Sequence, residues 1–570
     1  MKVEQPQYAD GIRRGKQDKF RGLNHNEGAG DGELYRMKNL CSDWYPLLAT
    51  RRKRRLYKKL TKPNGLYAWE KLCWADGTAF YYNGVKKGEV EDSRKTFAAI
   101  NGYIIIAPDM KYYNIYDDVF GSLTAETTQA VVFRDGTLYG EAAVRNTIQA
   151  EGVNWADWFR VGDAISITGT AANNLSIIIR EIEGDEMHFY EDSFTNETDQ
   201  EATLKREVPV LNFLFENENR LWGCNDTTIY VSKLGDPFNF NVFDGLDTDS
   251  FATDTGSAGS FTGAIAFRGY PTFFKEKNVY RVYGSMPSNY EIIGSATLGL
   301  AEGSGNSLAI AGETLLYLNR NGICIYKGGL PQAISLPFGN ERYKNAVAGS
   351  DGLKYYVSME DMQGDSHFFV YDTLRGLWHE EDDTRAVHFA YAEGNLFFLN
   401  DRGEIWITGN IQDPPAPPEP EPEEETEAEN DEDPEEEEQN GEGPEEEEAM
   451  EDEGPAEGEE EEDFSWEAEF TDFTEGDPDA KDVRKIHIRL ELDEDAECSV
   501  WIQMDSDGEW YQPQDGSLKE EKKRSYYLAI IPRRADHYRL KLTGRGGCRV
   551  YSITREYSIG SPFKTLPGRQ

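Results

Sequence analysis

No stretch of 18 consecutive apolar residues occurs in this 570-residue chain, so no membrane-spanning helix is expected. The first residues are polar and carry no apolar h-region, so no Sec leader is expected and synthesis in a cytosol is. Cysteine is scarce, six in all, and no pair forms a C-x-x-C. That spacing argues against zinc ligation or a disulfide scaffold and for small buried hydrophobes within strands. Catalytic signatures are missing too: no G-x-S-x-G, no phosphate-cradling Walker loop, no H-E-x-x-H and no dinucleotide fingerprint. No catalytic residue, cofactor or metal ligand is therefore expected, and the chain reads as a non-enzyme.

The remaining candidates for chemistry have plainer readings. Seven histidines are scattered; His379 and His388, nine apart, read as structural rather than as a ligand pair. The tetrad Glu380–Asp383 reads as a solvated turn, because a catalytic carboxylate pair must face a shared cleft and adjacency does not provide one. DSDG at Asp505–Gly508 imitates half of a calcium loop, but the flanking helices and the bidentate glutamate are missing, which leaves a hairpin turn. The small-residue stretch Thr253–Phe267 reads as a channel-facing loop or a connection between sheets.

Basic residues are absent from one long segment. From Asp413 to Asp463 there are 29 Asp and Glu and no Lys or Arg. The formal charge of the whole chain is −46; outside this segment 59 basic residues face 76 acidic ones, a balance of −17. The remainder is an ordinary acidic chain able to build a large core. Its charge argues against a sequence-reading nucleic-acid binder. The acidic segment, Pro-rich at its start, cannot bury enough apolar surface to offset its ordering entropy, and disorder is expected over 412–463.

What the chain has is a recurring hairpin. An apolar strand, a polar Asn/Asp/Gly turn and a second strand rich in Ile, Val and Tyr recur from Asn219, Tyr270, Glu313, Lys354 and Asn395. The second strands centre near Ile229, Tyr280, Cys324, Phe369 and Ile405, a period of roughly 36–51 residues, close to one four-stranded propeller blade. Two further pairs, from Lys71 and Ala99, precede them. A β-sandwich rich in hairpins is the competing reading. Both are all-β, and the fold expected is a β-propeller of six to eight blades with an inserted small β-barrel, a C-terminal antiparallel β-sandwich and a disordered acidic insert.

The divisions expected are an irregular basic arm over 1–65, a first propeller segment over 66–118, the barrel over 119–206, the main repeats over 207–411, the insert over 412–463 and the sandwich over 464–570. In the last, Ile486, Ile488, Leu490 and Leu492 alternate with polar residues, as in a half-buried strand. This module could supply a strand that closes the propeller. Seven of the nine residues 51–59 are basic: Arg51, Arg52, Lys53, Arg54, Arg55, Lys58 and Lys59. They are candidates for an inter-subunit or adaptor contact. The alternative is a strap that balances an acidic neighbour.

Several phrases carry a family resemblance. Asn219–Phe240, Gly269–Gly284 and Gly299–Pro331, with FRGLNHN at Phe20–Asn26 and the stretch Asp31–Arg51, resemble the tail nozzle, or tail tubular protein B, family of short-tailed phages and related prophages. The C-terminal runs DVRKIHIRLELD and HYRLKLTG are similar to the terminal module of prophage members. The resemblance spans most of the chain except the acidic insert, which departs from the pattern. It implies a virion structural subunit: six copies around an axial channel, in contact with a head–tail adaptor and other tail proteins. Phage genomic DNA would pass non-specifically through the lumen. The implied place is the virion tail, assembled in the host bacterial cytoplasm. A receptor- or carbohydrate-binding tail protein is the alternative, with Trp222, Trp378, Trp406 and Trp510 as stacking candidates.

Overall fold

In the computed structural model the described residues are 11–26, 30–136, 146–190, 193–409, 458, 460–477, 479–519, 523–531 and 533–559. The disorder expectation for the acidic insert falls almost wholly outside them.

The recurring hairpins build seven four-stranded antiparallel sheets. Blade 1 runs from Pro63–Trp69 to Val85–Glu89, blade 2 from Thr96–Ile100 to Val119–Ser122, and blade 3 from Phe213–Asn217 to Phe251–Asp254. Blade 4 runs from Gly263–Phe267 to Glu291–Ala296, blade 5 from Ala309–Ala311 to Gln332–Ala333, and blade 6 from Tyr343–Ser350 to Leu377–Asp382. Local chemistry sets each turn. Ile100 pairs with Tyr103 across Asn101–Gly102, both with positive φ (49° and 81°), the mirror-image turn that matches strand twist and favours Asn-Gly. The first two hairpins, which sequence alone could place in one blade, form two.

Blade 7 has only three consecutive strands, Ala386–Ala392, Asn395–Asn400 and Glu404–Ile407. Its fourth is Arg55–Lys59, from the basic run, with Leu56 opposite Trp406 and Lys59 opposite Glu404. The ring is therefore closed by an N-terminal strand, not by the C-terminal module. Because that strand immediately precedes blade 1, it ties the two ends of the ring together. Six of the seven blade-to-blade contacts have their own apolar cluster, and the seventh, between blades 5 and 6, lies in the core shared with the sandwich. Cys73 and Phe80 meet Ile104 and Tyr113 between blades 1 and 2, and Trp222 and Ile229 meet Phe273 and Tyr280 between blades 3 and 4. At the closure, Leu66 and Trp74 meet Phe397 and Ile405 between blades 7 and 1. A sheet buried on both faces needs such covering neighbours, and radial stacking supplies them.

Between blades 2 and 3 the chain leaves the ring. Six strands, from Ala125–Arg134 to Glu197–Arg206, close into a barrel around Phe133, Trp155, Ile167 and Leu204. Val119–Ser122, grouped with the barrel in the sequence reading, instead completes blade 2. The barrel is fastened to the propeller at Asp163. Its carboxylate pairs with Arg206 and accepts from Asn239 Nδ2 (3.1 Å), and Arg160 lies 3.3 Å from the Phe238 ring centre.

The expectation of an irregular arm over 1–65 does not hold for the described residues of that span. Arg13–Gln17, Leu40–Cys41 and Leu48–Thr50 join one sheet of the C-terminal sandwich, and Leu34–Lys38 joins the other. The 12-residue strand Cys548–Ile559 offers an edge whose backbone groups Arg13–Gln17 and Leu48–Thr50 satisfy. Leu34, Met37, Leu40 and Leu48 are buried there. Their core runs unbroken into blades 5 and 6, where Phe338, Phe369 and Trp378 join Phe20 and Phe470. Propeller and sandwich thus share one hydrophobic core.

Candidate functional site: the joint of propeller and sandwich

Two charge runs far apart in sequence meet at this joint. Arg54 is 4% exposed. It donates to Glu381 (2.7 Å), to both oxygens of Asp382 (2.8 and 3.3 Å) and to Thr384 Oγ1 (3.0 Å). Its guanidinium lies over the rings of Phe368 and Phe398. Arg51 makes a bidentate pair with Glu461 (2.6 and 2.7 Å), donates to Asn39 (2.7 Å) and stacks on Phe464 at 4.1 Å. Bidentate guanidinium–carboxylate pairs are strong and directional. Burial alone would lower the Arg54 pKa, but Asp382, Glu381 and Glu461 outweigh it and raise it. Burial pushes Asp382 up; Arg54 and Arg51 reverse that and hold it below the usual carboxylate range.

The basic run is thus split. Arg51 and Arg54, proposed from sequence as external contacts, are internal and committed. Arg55 and Lys58 lie half-buried in the closing strand, and Lys59 is exposed beside Glu404 (3.8 Å). Lys53 pairs with Asp463 at 2.7 Å, and Arg52 is exposed. The end of the acidic tract supplies the counter-charge. Its backbone pairs with the run as well: Glu460 and Arg55 form an isolated antiparallel β-bridge, and the Glu461 N–H donates to the Arg54 carbonyl (2.9 Å). This is the strap that balances an acidic neighbour, the alternative the sequence held open. The tetrad 380–383 is correspondingly not a solvated turn. Glu380 pairs with His367 (2.8 Å), Glu381 and Asp382 hold the arginines, and Asp383 alone is exposed. The signal available in sequence was two opposite charge runs, each beside a strand pattern; nothing local showed that they meet.

Beside this network a polar cleft of about 1190 Å³ separates the rims of blades 6 and 7 from the sandwich. His25 pairs there with Glu341 (2.9 Å), which also accepts from Tyr343 (2.6 Å). His367 has its pKa raised, chiefly by its hydrogen bond to Glu380. Trp406 forms part of the wall, with its Nε1 donating to Glu404 (3.2 Å). Of the other stacking candidates, Trp222 and Trp378 are core residues whose indole N–H groups reach backbone carbonyls, and Trp510 is half-buried under Lys541.

His379 and His388 are both buried, and burial drops their pKa values to about 4 and about 3. They are neutral packing residues at neutral pH. All six cysteines are free and buried. Among the described residues the one grouping with metal-ligand geometry is Asp505, Asp536 and His537, whose donor atoms lie within 4.8 Å of one another. The imidazole there is already engaged by Asp536 and by Ser506 Oγ (2.8 Å), so the cluster closes on itself. Residues 255–262 connect blades 3 and 4.

No family model matches the sequence, and no curated protein matches it. Among solved structures, BamB from Moraxella catarrhalis is similar over 64% of this chain and 98% of its own, at 9% identity and a TM-score of 0.34. The computationally designed Ika8 protein is similar over 63% and 99%, at 9% identity and a TM-score of 0.31. BBS1N, from its complex with ARL6DN, is similar over 63% and 98%, at 10% identity and a TM-score of 0.29. The β-propeller assignment itself stands on the seven sheets and the closing strand.

Proposed function

We propose that this chain is a virion structural protein, a tail nozzle or tail tube subunit that rings the DNA-ejection channel of a phage. The observation that carries the reading is the run of resembling phrases Asn219–Phe240, Gly269–Gly284 and Gly299–Pro331, which fall in blades 3, 4 and 5 in succession. Two physical features support it. A core continuous from propeller to sandwich, with strands from both ends of the chain in one module, makes a stiff building block. A strongly negative chain repels the phosphate backbone, so a duplex can slide past without being held. Six copies in head-to-tail contact close a ring, and the subunit does its work without catalysis.

Imaging of purified virions tests the proposal. The expected result is a sixfold ring of this subunit on the tail axis below the portal. Labelled copies on a peripheral fibre, or none in the particle, would overturn it. The cleft beside Trp406 favours the alternative of a receptor- or carbohydrate-binding tail protein. Oligosaccharide titration read by tryptophan fluorescence tests that alternative directly.

A further inference from the structure

Two of the six cysteines differ from the rest in what their sulfurs touch. Cys41, Cys73 and Cys324 donate to the backbone carbonyls of Thr50, Tyr67 and Tyr317 (3.4, 3.4 and 3.7 Å), as small residues of a packed core do. The Cys548 thiol donates instead to Cys498 Sγ. That hydrogen bond first, and burial second, hold its proton well above the ordinary thiol range. The two residues belong to different sheets of the sandwich. Cys498 lies on Glu497–Met504 opposite Gly544, and Cys548 opens Cys548–Ile559 opposite Leu492. Both sit in the core that the sandwich shares with blades 5 and 6, at 0% and 4% exposure.

Facing sheets stack about 10 Å apart, whereas a disulfide needs Cα atoms roughly 4–7 Å apart. The connections at this end of the sandwich close that gap. The chain crosses between the sheets twice here: through residues 493–496, from Lys481–Leu492 to Glu497–Met504, and through Gly546–Gly547, from Tyr538–Arg545 to Cys548–Ile559. The two crossings touch. The Asp493 N–H donates to the Gly547 carbonyl (3.0 Å), and a Cβ on Gly546 would lie 2.9 Å from the Ala496 Cβ. From that contact one strand leaves in each sheet, and both run in the same direction, because each pairs antiparallel with a strand that ends there. Each cysteine stands two residues beyond the contact, Cys498 after Ala496 and Cys548 after Gly546. Alternation turns both inward, in line with buried Ala496 and Val500 on one strand and Val550 on the other. The sheets converge at this corner, and the two thiols face each other across it.

We propose that Cys498 and Cys548 form a disulfide site, at which a peroxide joins the two sheets of the sandwich. Cys548, the less deeply buried, gives up its proton, and its sulfur attacks one oxygen of hydrogen peroxide. The O–O bond breaks, leaving a sulfenic acid and one water. The Cys498 sulfur then displaces the sulfenic hydroxyl, which leaves with the Cys498 proton as a second water. The two sulfurs lose two electrons and the peroxide gains them. The product ties Glu497–Met504 to Cys548–Ile559 through the core. The folded full chain tests this. It is treated with hydrogen peroxide, quenched with catalase, then unfolded in guanidinium with N-ethylmaleimide and no reductant. Labelled thiols are expected to fall from six to four, with the Cys498 and Cys548 peptides linked in a non-reducing map and the chain still monomeric on a non-reducing gel. Six labelled thiols, at a dose that oxidises exposed Met362, overturn the proposal, as does a link between any other pair or between chains. Chain unfolded in urea before the peroxide should give mixed pairings; dominance of the same link there refutes its placement by the fold. In Cys498→Ala the sulfenic acid has no partner and should be captured at Cys548 by dimedone; equal capture in the parent chain also overturns the pairing. Should that variant not fold, the parent's peptide map decides alone.

Discussion

Replacing Arg54 by Met removes the centre of the ion network while keeping an unbranched side chain over Phe368 and Phe398. Arg54 is almost wholly buried and holds Glu381 and Asp382 at 2.7 and 2.8 Å. Breaking a buried pair by removing one partner costs about 3–5 kcal/mol, because the other charge stays buried without compensation. Arg51 remains 3.7 Å from Glu381 and 3.6 Å from Asp382. It offsets part of the loss, so the expected destabilisation is near the lower limit, about 3 kcal/mol. Arg54→Glu, which sets a further carboxylate among Glu381, Asp382 and Glu461, costs more. Arg52→Glu, on an exposed neighbour, stays within about 0.5 kcal/mol. Urea denaturation followed by tryptophan fluorescence reads all three variants. The pH dependence supplies a second check. Asp382 is held below its ordinary pKa of 3.8, so its contribution is present above that value and is lost as pH falls through the folded value. The deficit of Arg54→Met should therefore be full at neutral pH and shrink below about pH 4. An Arg54→Met midpoint indistinguishable from the parent, or a deficit that grows in acid, would refute the reasoning.

Buried His379 and His388 each bind a proton in the unfolded chain below pH 6.5 but resist it when folded. Stability should therefore fall from pH 6.5 towards 4, by about 2 kcal/mol per histidine at pH 5 at ~1.4 kcal/mol per pH unit. His388→Gln should flatten that slope in pH-dependent urea melts. His367 works in the opposite sense: its raised pKa stabilises fully below 6.5, and that stability is lost as pH rises through the folded value, which His367→Gln would remove. Tyr57, in the closing strand, packs edge-on against Trp74 and Phe397 at 6.3 and 5.3 Å, so Tyr57→Ala should cost roughly 2 kcal/mol and raise protease sensitivity at blade 7. Deleting 413–457 with a short Gly/Ser bridge should leave the melting midpoint unchanged. Extending the deletion through Asp463 strips Glu461 from Arg51 and Asp463 from Lys53, and should lower it.

Sequence by itself determined the strands, their turns and the blade period. These are local properties: alternation over a few residues fixes which face is apolar, and pairs such as Asn101–Gly102 fix the reversal. It also marked off the barrel and the C-terminal strands, whose hydrophobic patterns break the period. The tertiary structure decided where distant segments pair. The strand Arg55–Lys59 reads as a charged run because its backbone, more than its side chains, completes blade 7. The strands Arg13–Gln17, Leu34–Lys38, Leu40–Cys41 and Leu48–Thr50 are too short to show a period, and their place is set by pairing within the two sheets of the sandwich. Arg51 and Arg54 look like surface charge because their partners, Glu381, Asp382 and Glu461, lie more than 300 residues away in sequence. A buried charge is stable only where its counter-charge is delivered at hydrogen-bond distance. That delivery depends on ring closure, which no local window of sequence contains.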